Sequence, residues 1–468
     1  MAISRRDCFR IGGVATGAAL LGGCAPIARR FVSHPQDLPL PAGDVQPTVR
    51  LLNRTGFGPR PGDVARVEAM GHDAYVEHIL KADQPEDLGL LMQLQHLDVE
   101  QIDDPDIEDL PRAEVLRQLQ QAAILRAVYG ANPLQERMFD FWTNHFNIYA
   151  LKGDSAFRKG GDERRVIREN ALGSFGDLLR ASSRSPAMLA FLDNTQNFKR
   201  HPNENYGREL MELHTLGVGG GYTQKDVQEV ARCFTGWTIE NRFLRPKGKL
   251  RFDPELHDDG QKLVLGHVIP PGGGEKDAET VLQILCAHPS TARFISTKLT
   301  RYFHGQDDPA IIVSAAAAFT ATNGDICSVL RAILRPDAIA ESAPIVKRPF
   351  HLIASAIRAT GGDSDGNNPI QSHLLAMGEP LYQWPMPDGY PIKTSAWTGS
   401  MLPRFNFAQA LASGDIRGTS IGIVKDPFEA THQRHLGPSD GALMDAVKGK
   451  GREEALALCL AAPSFQWC

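Results

Sequence analysis

Two glutamates three residues apart, Glu209 and Glu212, stand in the densest polar stretch of the chain. That stretch runs Asn203-Glu204-Asn205-Tyr206-Gly207-Arg208-Glu209-Leu210-Met211-Glu212-Leu213-His214-Thr215-Leu216-Gly217. At about 100° per residue in a helix, Asn205, Arg208, Glu209 and Glu212 share one arc. Tyr206, Leu210, Leu213 and His214 take the other side and face the core. Glu212 and His214 therefore point nearly oppositely and cannot chelate one ion, whereas Glu209 and Glu212 can converge. Converging carboxylates are what a hard divalent metal or a general acid–base pair needs. Arg208 and Asn205 would then orient an anionic or sugar-like substrate. The same residues also fit a plainer role, because Glu204, Arg208 and Glu212 at i, i+4 and i+8 form a ladder of surface ion pairs.

His145, within Phe141-Trp142-Thr143-Asn144-His145-Phe146, lies in the apolar stripe of its helix. It is a candidate metal ligand or proton shuttle, or else a core histidine bonded to a backbone carbonyl. In His257-Asp258-Asp259-Gly260-Gln261-Lys262, His257 and Asp258 can ligate a metal or move protons. They equally fit a hydrophilic hairpin turn with Gly260 at positive φ. No P-loop, HExxH or dinucleotide fingerprint occurs. Gly217-Val218-Gly219-Gly220-Gly221 precedes a helix opened by the capping pattern Thr223-x-x-Asp226. It lacks a lysine and a preceding strand, so it reads as a joint between packed helices rather than a phosphate cradle.

The elements that must position these groups are mostly helices. Arg112 to Tyr129 places Val115, Leu116, Leu119, Ala122, Ala123 and Val128 at helical spacing. Asn132-Pro133 opens the helix of Leu134, Met138, Phe141, Trp142, His145 and Tyr149. Further helices are expected over 162–172, 175–182, 203–216, 224–235, 278–287, 291–303, 310–321, 326–334, 345–360 and 404–413. Strand signals are confined to Trp237–Leu244, Lys249–Asp253 and Lys262–Ile269. The predicted fold is mainly α, one large helical domain over 48–467 with a small β insertion at about 237–269. Asp98 to Glu114, acidic around Pro105 and Pro111, reads as a solvated loop whose spacing fits no EF-hand.

Composition bounds the rest. The chain has 468 residues, 42% hydrophobic and 22% charged, ordinary values for a globular protein. Net charge is −5, with no basic run of five, which argues against nucleic acid as a partner. Ser4-Arg5-Arg6-Asp7 opens a leader whose uncharged core, Ile11 to Gly23, is too short to span about 30 Å of hydrocarbon. Paired arginines mark a twin-arginine export signal, and Leu21-Gly22-Gly23-Cys24 has the form of a lipobox, with Cys24 the lipidated residue. An ordinary signal peptide that happens to hold a cysteine is the alternative. Residues 1–23 are thus expected to be the signal and 24–47, rich in proline, a lipid-anchored linker. The expected location is the periplasm or outer membrane, attached through the lipid. Of the other cysteines, Cys459 and Cys468 could form a C-terminal clasp, while Cys233, Cys286 and Cys327 read as small buried helical residues.

Phe141-Trp142-Thr143-Asn144-His145-Phe146, the Asn203–Gly217 block, Gly220-Gly221-Tyr222-Thr223-Gln224 and Phe234-Thr235-Gly236-Trp237 resemble the bacterial domain-of-unknown-function 1800 family. Leu51-Leu52-Asn53-Arg54, His257-Asp258, Gly378-Glu379-Pro380-Leu381-Tyr382 and Ala462-Pro463-Ser464-Phe465-Gln466 extend the likeness over about residues 48–467. Asp388-Gly389-Tyr390-Pro391 departs from the more usual Gly-Trp-Pro, and Val346-Lys347-Arg348-Pro349 from a typical Lys-Ser-Pro. The resemblance implies an exported, largely helical protein, often encoded beside the sulfatase- and phosphatase-like domain-of-unknown-function 1501 family, a candidate co-exported partner. It strengthens Asn144, His145, Asn205, Arg208, Glu209, Glu212, His257 and Asp258 as site residues without naming a reaction. Two functions are expected to compete. One is a metal- or carboxylate-dependent hydrolase of envelope or extracellular polymers, with a divalent ion as its potential cofactor. The other is a non-catalytic scaffold for that partner.

Overall fold

The computed structural model describes residues 45–468, apart from 82–84, 103–105, 242–247, 423, 425, 428–429 and 432–440. The leader and Cys24 lie outside the described residues. Asn132 accepts hydrogen bonds from the Leu134 and Gln135 amides, and Pro133 follows at the first turn, so the Pro133–His145 helix starts where capping chemistry places it. Its Leu134, Met138, Phe141 and Trp142 are buried in the largest core cluster among the described residues. Each such side chain contributes about 1.5–3 kcal/mol by leaving water. Trp142 also donates its indole N–H to the Ala171 carbonyl at 3.0 Å, so its polar end is satisfied. The second core cluster gathers around the Arg112–Tyr129 and Pro349–Ala359 helices, and all six apolar positions anticipated in the former are buried.

The architecture is mainly α, with two-stranded sheets only among the described residues. Trp237–Ile239 pairs antiparallel with Leu250–Phe252, Trp237 opposite Phe252. The expected Lys262–Ile269 strand is instead a hairpin, Lys262–Val264 against His267–Ile269. Leu265 (φ 49°) and Gly266 (φ 80°) make its turn, in the left-handed region that a two-residue hairpin demands. The turn expected at Gly260 is absent, and a further small pair, Asp363–Ser364 with Thr419–Ser420, lies outside the insertion.

Other expectations need correction. Asp98–Glu114 is not a plain loop: Asp98–Gln101 and Asp106–Asp109 form short helical turns because Val99 and Ile107 are buried. The 345–360 helix begins only at Pro349, since Val346 is drawn into a bridge with Trp467. Cys459 and Cys468 are both buried, but no disulfide links them. No helix among the described residues is long and apolar enough to cross a membrane.

The most consequential departure is in the polar block. Glu204–Glu209 is α-helical, and Leu210–Thr215 then widens into a π-helical turn. The Leu216 amide reaches back five residues to the Met211 carbonyl at 2.8 Å, and the Thr215 hydroxyl to the Leu210 carbonyl at 2.6 Å. Such turns are rare and frequently sit at functional sites. Gly217 (φ 78°) ends the segment, and any side chain there would meet the Phe294 ring within 2.7 Å. This close approach sets the π-helical turn against the Pro289–His304 helix.

Candidate functional site

The helix Pro289–His304, started by Pro289 and a His288 cap, carries Lys298 toward the polar block. Lys298 Nζ lies 2.8 Å from His145 Nδ1. The other ring nitrogen of His145, Nε2, lies 3.1 Å from the His214 backbone carbonyl. A carbonyl can only accept, so the proton of the neutral ring sits on Nε2 and the Nδ1 lone pair faces Lys298. Burial, then the charge of Lys298, hold the His145 ring well below its ordinary pKa. Burial likewise pulls Lys298 down to about 8, against the attraction of Asp388, and pulls His214 down to about 3. His214 Nε2 is buried with no hydrogen-bond partner among the described residues.

Glu209 and Glu212 are both half-buried, on the same side of the segment. Burial and then repulsion from Glu212 raise the Glu209 carboxyl above the ordinary glutamate value, Asp388 adds to the rise, and Arg208 opposes it. Tyr222 donates its hydroxyl to Glu212 at 3.2 Å, and burial with that carboxylate lifts its pKa to about 12. Asp388 is exposed and delivered by the loop 384–390. Asn144 grips that loop through the Tyr390 amide (2.7 Å) and carbonyl (2.9 Å). Asn147 holds the Trp384 and Met386 carbonyls, and Trp384 Nε1 donates to Asp388 at 3.0 Å. Gly389 permits this approach, because a Cβ there would stand 2.2 Å from the Asn144 carbonyl.

Of the sequence candidates, Glu209 and Glu212 thus stand together, His145 meets their segment at the His214 carbonyl, and Asn144 holds the loop that carries Asp388. The ladder is half formed. Arg208 pairs with Glu204 at 3.0 Å and bonds Gln224 at 3.0 Å, while Glu212 turns to Tyr222. The reason is the π-helical turn, which rotates Glu212 off the α-helical row. Asn205 donates its side-chain amide to the Leu192 carbonyl at 3.1 Å, so it holds chain rather than standing free to orient a substrate.

His257 and Asp258 belong elsewhere. His257 is buried, Nδ1 2.8 Å from the Thr235 carbonyl and Nε2 3.2 Å from Asp277 Oδ2. Lys262 Nζ lies 2.5 Å from the same Asp277 oxygen. Asp258 takes a two-pronged bond from Arg232 at 2.7 and 3.1 Å, which holds its carboxyl below the usual aspartate value. The expectation that His145, or His257 with Asp258, supplies metal ligands is therefore corrected. Their donor atoms are committed to carbonyls, Lys298, Asp277 and Arg232, and no group of three His, Cys, Asp or Glu side chains able to hold an ion occurs among the described residues. A divalent ion does not fit these residues as they stand.

Sequence reasoning missed Lys298, Tyr222 and Asp388. Lys298 had a signal: it falls three residues after Ile295 and beside Leu299, on the arc that Tyr302 continues, where a lone lysine must find a polar partner. Asp388 had none, since only the folded chain brings it to Lys298.

Fold and site together define a class: a mainly helical protein in which a π-helical turn carries a half-buried glutamate pair and meets a lysine–histidine pair. The chain belongs to the family described as a protein of unknown function, DUF1800, whose model matches residues 50–467. No curated protein and no solved structure matches it.

Proposed function

We propose that this protein is exported by the twin-arginine route, held to a membrane through lipid on Cys24, and acts there as a carboxylate-dependent hydrolase of envelope or extracellular polymers. The observation that carries the reading is the half-buried Glu209–Glu212 pair, with the Glu209 carboxyl raised by burial and then by its neighbour. A carboxyl kept protonated longer than usual is a proton donor to a leaving group, and the neighbouring Glu212 would take a proton from water. Lys298, held by the His145 lone pair, is a positioning and charge-balancing group for an intermediate that develops negative charge. The test is release of reducing ends or free amines from purified envelope polymers by the full chain, with Glu209→Gln and Glu212→Gln alongside. The reading expects hydrolysis by the native protein and about 100-fold or greater loss in each variant. Equal turnover in variants and native protein, or no release from any polymer, contradicts it.

A second reading has specific support. His145 ends on a carbonyl, and the solvated Glu204–Arg208–Gln224 cluster has the form of an ordinary surface network. On that reading the chain is a scaffold for a co-exported sulfatase- or phosphatase-like protein of the domain-of-unknown-function 1501 family. Co-purification of the two from membranes, unaffected by Glu209→Gln, would favour it.

A further inference from the structure

Two enclosed lysines of this fold are met by carboxylates. Lys159 has Asp162 at 2.8 Å, and Lys262 has Asp277 at 2.5 Å. Lys298 is met differently. Its hydrogen bond, at 2.8 Å, goes to His145 Nδ1, and no carboxylate pairs with it among the described residues. Asp388 attracts it as a charge at longer range, while Arg301, itself held by Asp307, repels it. Burial, with that repulsion and against the pull of Asp388, brings the amine down to about 8.

An uncharged amine is a nucleophile, and the geometry leaves its electron pair free. His145 Nε2 keeps its proton on the His214 carbonyl, so Nδ1 can only accept. One N–H of Lys298 is therefore tied to the imidazole, and the nitrogen lone pair points away from it. A carboxylate in the same place would hold the amine charged. Lys298 is also partly exposed. So is Phe294, whose ring centre lies 5.6 Å from Nζ and offers an apolar surface to a short carbon chain. Lys347 shows why approach matters. Its amine is lowered to about 7, yet it is only 1% exposed and packs on the Phe465 ring at 4.0 Å.

We propose that Lys298 is a reversible covalent site for small neutral aldehydes, which it captures as an imine. The amine nitrogen adds to the carbonyl carbon. Two of the three ammonium protons end on the carbonyl oxygen through solvent, and that oxygen leaves as water. A carbon–nitrogen double bond replaces the carbon–oxygen one. The product keeps the third N–H, the hydrogen bond to His145 and the positive charge, so no oxidant or reductant enters. Charge selects the substrate class. Asp388 favours a product that stays cationic and repels an aldehyde that carries its own carboxylate. The inference goes beyond polymer hydrolysis and does not depend on it, because its readout is a covalent adduct.

The test exposes the full chain briefly, at about pH 7.5, to glyceraldehyde or to the anionic aldehyde glyoxylate. Borohydride then fixes the imines, and each lysine is mapped by mass spectrometry. The proposal expects glyceraldehyde to label Lys298 about 10-fold faster than the exposed Lys225, Lys276 and Lys393, since far more of its amine is uncharged. Lys347 should stay unlabelled in the folded protein. Relative to the exposed lysines, glyoxylate should label Lys298 less than glyceraldehyde does, and Asp388→Asn should narrow that gap. His145→Gln, which still offers an acceptor, should keep more of the labelling than His145→Phe. Should neither histidine variant fold, the native protein and Asp388→Asn decide. Four results overturn the proposal: Lys298 labelled no faster than the exposed lysines, a preference that survives urea unfolding, a preference for glyoxylate, or equal labelling of both folded histidine variants.

Discussion

His145 with Lys298 and Glu209, and His257 with Lys262 and Asp277, use the same three groups, an imidazole, an amine and a carboxyl, to opposite ends. Around Asp277 every charge is answered: lysine at 2.5 Å, imidazole at 3.2 Å, all of it buried. Around Lys298 the nearest partner is a neutral imidazole, and the acids gather beside one another, with His214 Nε2 left over. The first arrangement minimises electrostatic energy and can only hold strands to a helix. The second keeps like charges together, raises a carboxyl and lowers an amine, and so holds protons that are ready to move. Residue type does not separate architecture from chemistry here; pairing does.

That contrast can be broken by mutation, and the largest effect belongs to the paired region. Asp277→Asn leaves Lys262 buried without a counter-charge and should cost about 3–5 kcal/mol in urea unfolding. A loss below about 1 kcal/mol would mean that the region is not the buttress its geometry implies. Next comes Asp258→Asn, which removes the Arg232 fork at a half-buried site and should cost about 1 kcal/mol at neutral pH. The folded Asp258 carboxyl titrates below its ordinary value. Its contribution is therefore present above that value and fades as pH falls below about 4, where native and variant curves should meet. In the unpaired region, Lys298 should acetylate with a half-point near pH 8, because the amine is neutral above its lowered pKa. Exposed lysines should follow only near about 10.4. A Lys298 profile indistinguishable from theirs would erase the difference between the two regions.

Local chemistry made much of the frame legible. Asn132-Pro133 announced its helix, and the Thr223–Asp226 pattern forms the capping box it suggested, each side chain answering the other's backbone. The apolar stripe of Arg112–Tyr129 is the buried face. What stayed hidden was non-local or a matter of one residue. The π-helical turn adds a residue to a helix whose α period looked unbroken, and so redirects Glu212 to Tyr222. Leu265 occupies a left-handed turn position where glycine was sought at Gly260, and one strand became a hairpin. Lys298 lies 153 residues from His145, and Asp388 farther still, so the half of the site that sets its electrostatics comes from tertiary contact alone. His257 and Asp258 misled because imidazole beside carboxylate looks reactive until Arg232 and Asp277 are seen to absorb both.

The sign of the stability change in Glu209→Gln tests the central claim most directly. A carboxyl raised by burial and by Glu212 penalises the folded state wherever it is ionised, so its neutral replacement should leave urea unfolding at pH 7.5 unchanged or up to about 0.5 kcal/mol more favourable to the fold. The advantage should vanish below the ordinary glutamate range, where both states hold the proton. A loss of more than about 1 kcal/mol at pH 7.5 would mark Glu209 as a strut like Asp277, and would contradict the account.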